Sequence, residues 1–243
     1  MTDAEFEPID DTTRQALAKI STATITTQLF KRGFRNLYIL NVQLLNPDAP
    51  RMVGEAFTMR YIPAREDIDQ MSVFQDPEHP QRKGIETIPP GQVLVMDCRG
   101  DVRAASGGGI LLTRLKVRGV AGVVTDAGLR DAQEIAAMDF PVFCAGPSAP
   151  LNLAHHHAVD VNRPISCGGV PVYPGDVIVG DGDGVVVIPR HLAEDVARDG
   201  LEQERFERFV MLEIQGGKST RGIYPPNDET LRRYEAWLES GGE

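Results

Sequence analysis

Hydrophobic and polar residues alternate with two different periods along this chain, and the points where one period gives way to the other predict its elements. Thr12 to Arg35 places Leu17, Ile20, Ala23 and the stretch Ile25 to Leu29 at helical spacing, so one helix is expected there, weakened by its threonines. Arg51 to Ile62 alternates like a strand, and Gly91 to Cys98 (GQVLVMDC) reads as another after the turn Pro89-Pro90. Between them, residues 63–90 turn charged and proline-bearing. That segment is expected to run over the surface, longer than most loops, as a site rim or a subunit contact. Gly107-Gly108-Gly109 followed by ILLTRLKVRG predicts a glycine turn that opens a helix. Val120 to Thr125 (VAGVVT) fits a short buried strand, and Asp126-Ala127-Gly128 supplies turn chemistry before a second helical segment.

Further along, Phe140 to Ala145 predicts a strand, and Ile165 to Ile188 a set of short strands divided by Pro174-Gly175-Asp176 and by Gly180 to Gly184. The second of these dividers has glycines opening a strand and lacks EF-hand spacing. It reads as a tight hairpin, in preference to a calcium loop or a dinucleotide motif. Leu192 to Gln215 is an acidic amphipathic helix that Gly216-Gly217 ends. Leu231 to Leu238, with Trp237, predicts a short helix that must dock to cover its aromatics.

Composition narrows the class. At 243 residues the chain can build one sizeable core and shows no shift that divides it, so an α/β domain over residues 1–215 and a tail over 216–243 are expected. A net charge of −10 excludes a general nucleic-acid surface, and Arg114, Lys116 and Arg118 are expected on the solvated face of a helix. No apolar run approaches the roughly 20 residues of a membrane span, and the acidic start MTDAEFEPIDD is unlike a signal peptide. A cytoplasmic protein without membrane contact is the expectation. Cys98, Cys144 and Cys167 have neither disulfide nor zinc spacing. The first two lie in apolar runs and are expected to be buried, and Cys167, next to Gly168-Gly169, to be more accessible. Of His155-His156-His157, consecutive side chains point in different directions and seldom share one ion.

The candidate chemistry lies in residues 107–134. Arg130 and Asp131 fall where a strand ends and a helix begins, the edge at which ligands collect in open α/β structures. They read either as a surface pair at a helix start or as a site. Glu134 shares a helical face with Asp131, and two such carboxylates suit Mg²⁺ or Mn²⁺, with Arg130 left to hold an anionic substrate oxygen. The three glycines allow two readings as well: a close backbone approach, or exposed N–H groups that receive a carboxylate. There is no GxxxxGK[ST], so a Walker loop is excluded.

With GVAGVVTDAGLRD at Gly119 to Asp131 and GGVPVYPGDVIVGDGDGVVVIP at Gly168 to Pro189, the chain resembles, over about Thr22 to Val196, a known family. It contains the regulator of ribonuclease activity A and the metal-dependent class II pyruvate aldolases acting on 4-hydroxy-4-methyl-2-oxoglutarate and 4-carboxy-4-hydroxy-2-oxoadipate. Members carry Asp or Gly twenty intervening residues before the Arg-Asp pair. This chain has Gly109 there, with Glu134 as the compensating carboxylate. The resemblance implies a swivelling β/β/α fold. It also implies Asp131 as a metal ligand aided by Glu134, and Arg130 on the substrate keto and carboxylate oxygens. The glycine turn, Gly108 and Gly109, would lead into the amides of Ile110 and Leu111, which would take the pyruvyl carboxylate of a 2-keto acid. Retro-aldol cleavage to pyruvate and oxaloacetate decarboxylation as a side reaction are implied, as is a homo-oligomer, trimer or hexamer, with the tail on a neighbouring subunit. A non-catalytic protein-binding regulator of ribonuclease activity, or a related sugar-acid lyase or dehydratase, are the alternatives.

Overall fold

In the strand Val93–Asp97, Leu94 and Met96 enter one buried cluster while Val93 and Val95 enter another, which is why its sequence reads as an unbroken apolar run. The same division recurs at Val123 and Val124 one strand further along. These strands belong to the core of a mixed α/β structure, a computed structural model that describes residues 7–242. Of the acidic start read over residues 1–11, residues 1–6 lie outside the described residues.

The strands are β1 (Tyr38–Ile39), β2 (Gln43–Leu44), β3 (Met52–Pro63), β4 (Val93–Asp97), β5 (Ala105–Gly107), β6 (Gly122–Thr125), β7 (Gly128–Leu129), β8 (Val142–Cys144), β9 (Gly146–Pro147), β10 (His156–Val161), β11 (Ile165–Cys167), β12 (Val170–Val172), β13 (Val177–Asp181) and β14 (Gly184–Ile188). The helices are α1 (Asp11–Leu17), α2 (Thr22–Lys31), α3 (Pro80–Thr87), α4 (Gly109–Val117), α5 (Ala132–Ala136), α6 (Ala193–Gln215) and α7 (Asp228–Glu239). The large sheet runs β1-β14-β13-β3-β4-β6-β8-β2, with β10 pairing the second half of β3. Strands β3, β4, β6 and β8 are parallel, and helices α3, α4 and α5 cover one face through Ile85, Leu112, Leu115 and Ile135. Helices α1, α2 and α6 cover β13 and β14 through Leu17, Ile25, Leu29 and Val196.

Each of β4, β6 and β8 ends, breaks for a few residues, and resumes as β5, β7 or β9, which pair in parallel as a second, three-stranded sheet. Asp126 fixes the middle break. Its carboxylate accepts from the backbone N–H groups of Cys98 at 2.6 Å, Gly100 at 2.9 Å and Gly168 at 3.3 Å, and burial pushes its pKa above the ordinary value despite those donors.

The hairpin expected at Gly180 to Gly184 is present, with Asp181 opposite Gly184. Two expectations change. The helix predicted from Thr12 to Arg35 is two helices, because the Ser21 hydroxyl accepts from the Thr24 N–H and caps a new start, while Asp181 holds both the N–H and the hydroxyl of Thr22. Cys167 is fully buried, its thiol donating to the Met96 carbonyl; the adjacent Gly168 and Gly169 turn the chain at positive φ and do not open the site. The tail helix packs on the chain's own α6: Tyr234 and Trp237 lie 5.5 and 5.7 Å from Phe209, ring centre to ring centre.

Gly54 of β3 shows how closely the elements approach. A Cβ there would stand 2.4 Å from the Gly91 carbonyl oxygen and 3.2 Å from Ala121 Cβ. Gly54→Ala is expected to destabilise the fold by about 1–3 kcal/mol, read as a lower denaturant midpoint; an unchanged midpoint would show that the β3 approach is not tight.

Candidate active site

The second sheet brings the candidate residues together. In the β5–β7 pairing Gly107 stands opposite Leu129, and the Arg130 N–H donates to the Gly107 carbonyl at 3.0 Å. The two residues after each strand, Gly108-Gly109 and Arg130-Asp131, therefore emerge side by side although twenty residues separate Gly109 from Arg130 in the chain. Gly109 begins α4 and Asp131 caps α5, so two helix starts face the same place.

Asp131 holds a left-handed backbone conformation (φ 56°, ψ 36°) that Asp tolerates better than most residues. Its carboxylate does not cap its own helix. It reaches across to accept the Gly109 N–H at 2.9 Å. This approach requires glycine at 108, where a Cβ would lie 2.8 Å from Asp131 Oδ2. The first helical bond of α4 is the Leu112 N–H donating to the Gly108 carbonyl, so the amides of Ile110 and Leu111 precede any intrahelical acceptor and sit at the positive end of the helix.

Gly108, Ile110, Leu111, Arg130 and Asp131 line one cleft of about 220 Å³. The Arg130 side chain is exposed and has no ion pair or hydrogen bond among the described residues. Glu134 lies on the other side of Asp131, in a shallow depression shared with Gly109, Ile110, Thr113 and Met138. All the site residues predicted from sequence thus meet around Asp131, in two adjoining hollows.

The opposite wall of the cleft comes largely from the segment expected as a site rim, although none of the wall residues was singled out in the sequence. The segment 63–90, expected as a surface excursion, folds into a short 3-10 helix, Met71–Gln75, and α3, and contributes Phe74, Gln81 and Arg82. Pro80 occupies the first turn of α3, where its missing N–H costs nothing; in a charged stretch it reads as a breaker. Gln81 is fixed, donating to the Ser106 carbonyl at 2.8 Å and the Tyr61 hydroxyl at 3.2 Å. Leu151 and Asn152 close the wall from the link between β9 and β10. The histidines are elsewhere. His156 is buried, bonded to the Ala104 carbonyl, with its pKa lowered by burial, and His157 pairs with Asp69 at 2.6 Å.

Comparison with known proteins gives this arrangement a family. The family model described as RraA-like, Aldolase/RraA, matches residues 21–187. A Halalkalibacterium halodurans protein provisionally named 4-hydroxy-4-methyl-2-oxoglutarate aldolase is 40% identical over 122 residues, 50% of this chain and 58% of that protein. The match thus spans somewhat over half the length of that curated relative. The Streptomyces coelicolor protein RraAS2, described as an unusual member of the RNase ES inhibitor RraA protein family, superposes with a TM-score of 0.74 at 28% identity over 84% of this chain and 98% of its own. An uncharacterised Pseudomonas syringae protein shares the fold at a TM-score of 0.77 and 24% identity, over 90% of this chain and 100% of its own. A match across residues 21–187, with the Arg-Asp pair at the mouth of the cleft, makes this chain a member of the RraA-like (Aldolase/RraA) family.

Proposed function

We propose that this protein is a divalent-metal-dependent lyase that cleaves a 4-hydroxy-2-oxo acid by a retro-aldol reaction and releases pyruvate. The observation that carries this reading is the meeting, on one cleft, of a cation without a partner among the described residues, Arg130, and the free amides at the start of α4. A 2-oxo acid presents two adjacent groups that need such donors, a carboxylate and a keto oxygen. Aldolase-named relatives support the reaction class.

Asp131 and Glu134 would hold Mg²⁺ or Mn²⁺. Their carboxylates border one solvent-open depression, and no third His, Cys, Asp or Glu joins them among the described residues. That donor set fits a hard cation that takes one or two carboxylates and keeps its remaining waters. When bound, such a cation supplies Lewis-acid stabilisation of developing negative charge. The chain's own groups do the rest. The Ile110 and Leu111 amides take the substrate carboxylate, and Arg130 donates to the keto oxygen. As the C4 hydroxyl loses its proton, C4 becomes a carbonyl and the C3–C4 bond breaks. Its electron pair moves through C3 to the keto oxygen as an enolate held by Arg130, and protonation at C3 then gives pyruvate. Loss of CO₂ from oxaloacetate yields the same enolate. A homo-oligomer, trimer or hexamer, with residues 216–243 against a neighbouring subunit, belongs to the same proposal.

The test is pyruvate release from oxaloacetate, coupled to lactate dehydrogenase, with Mg²⁺ and with excess EDTA. Release above that of Mg²⁺ alone, abolished by EDTA, is the expected result; no enhancement would sink the aldolase reading. Glu134→Gln is expected to raise the Mg²⁺ concentration for half-activation about tenfold or more while leaving the rate at saturating Mg²⁺ nearly intact. An unchanged Mg²⁺ titration would remove Glu134 from the site. A second reading, a protein-binding inhibitor of a ribonuclease, is favoured by the likeness to RraAS2 over nearly that whole chain. A protein inactive on oxaloacetate that inhibits a purified ribonuclease would establish it.

A further inference from the structure

The segment that carries Phe74 to the cleft is held by very few side chains. Of residues 62–78 only Asp69 is buried, and the 3-10 helix Met71–Gln75 buries none of its side chains. Asp69 accepts from the Arg65 N–H at 2.7 Å and pairs with His157 of β10 at 2.6 Å. The next buried residue, His79, immediately precedes α3. Both anchors of this strap are therefore titratable groups. Phe74 itself belongs to none of the four buried apolar clusters of the described residues. Its ring meets the His79 imidazole edge-on, 5.7 Å between centres, and the Arg82 guanidinium at 4.6 Å.

His79 suits only the neutral state. Its Nδ1 is buried with no hydrogen-bond partner among the described residues. An imidazolium carries a proton on both ring nitrogens, so charging His79 in place would bury a donor without an acceptor. The charged groups around it divide. Arg82 of α3 and, when protonated, His157 of β10 oppose a cation, while Asp69 and Asp76 of the strap favour one. Glu78, its neighbour in the chain, is exposed and paired with Lys83 at 2.8 Å. Burial outweighs the two carboxylates and lowers the His79 pKa below that of a free imidazole. With the docked value depressed, docking of the strap is fully supported above the ordinary imidazole pKa of ~6.5, and it loses that support as pH falls through the docked value.

We infer that residues 62–79 form an acid-released strap, in which His79 is a positioning residue: its neutral ring holds Phe74 on the cleft wall, and its protonation lets the strap leave the cleft. Release takes Phe74 out of the wall and removes the stacking partner of Arg82. Gln81, bonded to Ser106 and Tyr61, stays in place, so the cleft opens on the Phe74 side alone. Release of this kind changes the shape of the cleft whatever reaction the cleft carries out.

The experiment is amide hydrogen exchange of the full chain, read by mass spectrometry at pH 7.5 and at pH 5.5, which is above the isoelectric point near 5.0. Each rate is divided by the intrinsic rate at its pH. The strap amides to follow are those of Asp69, Val73 and His79, which donate to the carbonyls of Arg65, Gln70 and Asp76. Their corrected exchange is expected to rise about fivefold at the lower pH, under the roughly tenfold ceiling that one proton on an imidazole of pKa ~6.5 sets there, while the amides of β4 and β6 stay protected. His79→Phe keeps a ring against Phe74 but takes no proton, and should abolish the rise without loss of protection at pH 7.5. His79→Gln should abolish it too, which keeps the test open if the phenylalanine variant fails to fold. No rise in the unaltered protein, a rise that persists in either folded His79 variant, or an equal rise in the β4 and β6 amides overturns the strap.

Discussion

Replacing Asp131 with alanine is expected to lower metal-dependent pyruvate release by at least about a thousandfold, equivalent to ~4 kcal/mol of barrier, while the protein remains folded. The expectation of an intact fold follows from position. Asp131 is exposed, its side chain makes no bond to its own helix, and its carboxylate accepts one hydrogen bond, from the Gly109 N–H. Losing that bond costs about 1 kcal/mol, and placing alanine at φ 56° adds about 1–2 kcal/mol, against a stability of ~5–15 kcal/mol for a domain. Asp131→Asn separates the two roles that the carboxylate could have. Asparagine keeps the acceptor for Gly109 and tolerates the left-handed backbone, but lacks the charge that a cation requires. If Asp131 acts as proposed, asparagine should fail as completely as alanine. An asparagine variant with near-normal turnover would reduce Asp131 to a positioning group and remove it as a metal ligand.

The residues that make this site testable were legible in the sequence to different degrees, and the difference has a physical origin. Val120 to Thr125 and the turn after it follow from a local pattern, and β6 and the break at Asp126 lie where that pattern puts them. The meeting of Gly108 and Gly109 with Arg130 and Asp131 needs a non-local fact, the parallel pairing of β5 with β7, strands of three and two residues that are too short to show periodicity. The motif resemblance, and not the pattern, brought those residues together in the reading of the sequence. Arg82 and Asn152 carried no local signal. An arginine in a charged stretch is usually solvated, and an asparagine in a turn is usually satisfied by its own backbone. Only their place on the cleft wall distinguishes them, and that place is a property of the packed chain. The helix read across Thr12 to Arg35 failed for a related reason: the partner that helps fix the start of α2, Asp181, lies 159 residues from Thr22.

Gly108→Ala provides the most discriminating test of how that packing serves the site, and it is expected to cost about a hundredfold in activity with little loss of stability. Gly108 has extended dihedrals (φ −153°, ψ −179°) that alanine adopts without strain, so backbone conformation does not explain the glycine. Space does. The added Cβ would lie 2.8 Å from Asp131 Oδ2 and 3.3 Å from Arg130 Cβ, so the carboxylate must swing away and give up the Gly109 N–H. The residue displaced is the one proposed to hold the cation, and its neighbour is the one proposed to hold the keto oxygen. Gly107 supplies the control. A Cβ there meets Leu112 Cδ1 at 3.5 Å and Leu129 Cδ2 at 3.9 Å, which are ordinary contacts with the core and not with the site. Gly107→Ala should therefore lose no more than about threefold, within the scatter of a substitution at the site's edge. Both variants would be compared by pyruvate release from oxaloacetate at saturating Mg²⁺ and by their denaturant midpoints. Equal activities would mean that Asp131 is not placed by the glycine turn. A large loss at 108 alone, with both proteins stable, would tie catalysis to the placement of one carboxylate by a side chain that is absent.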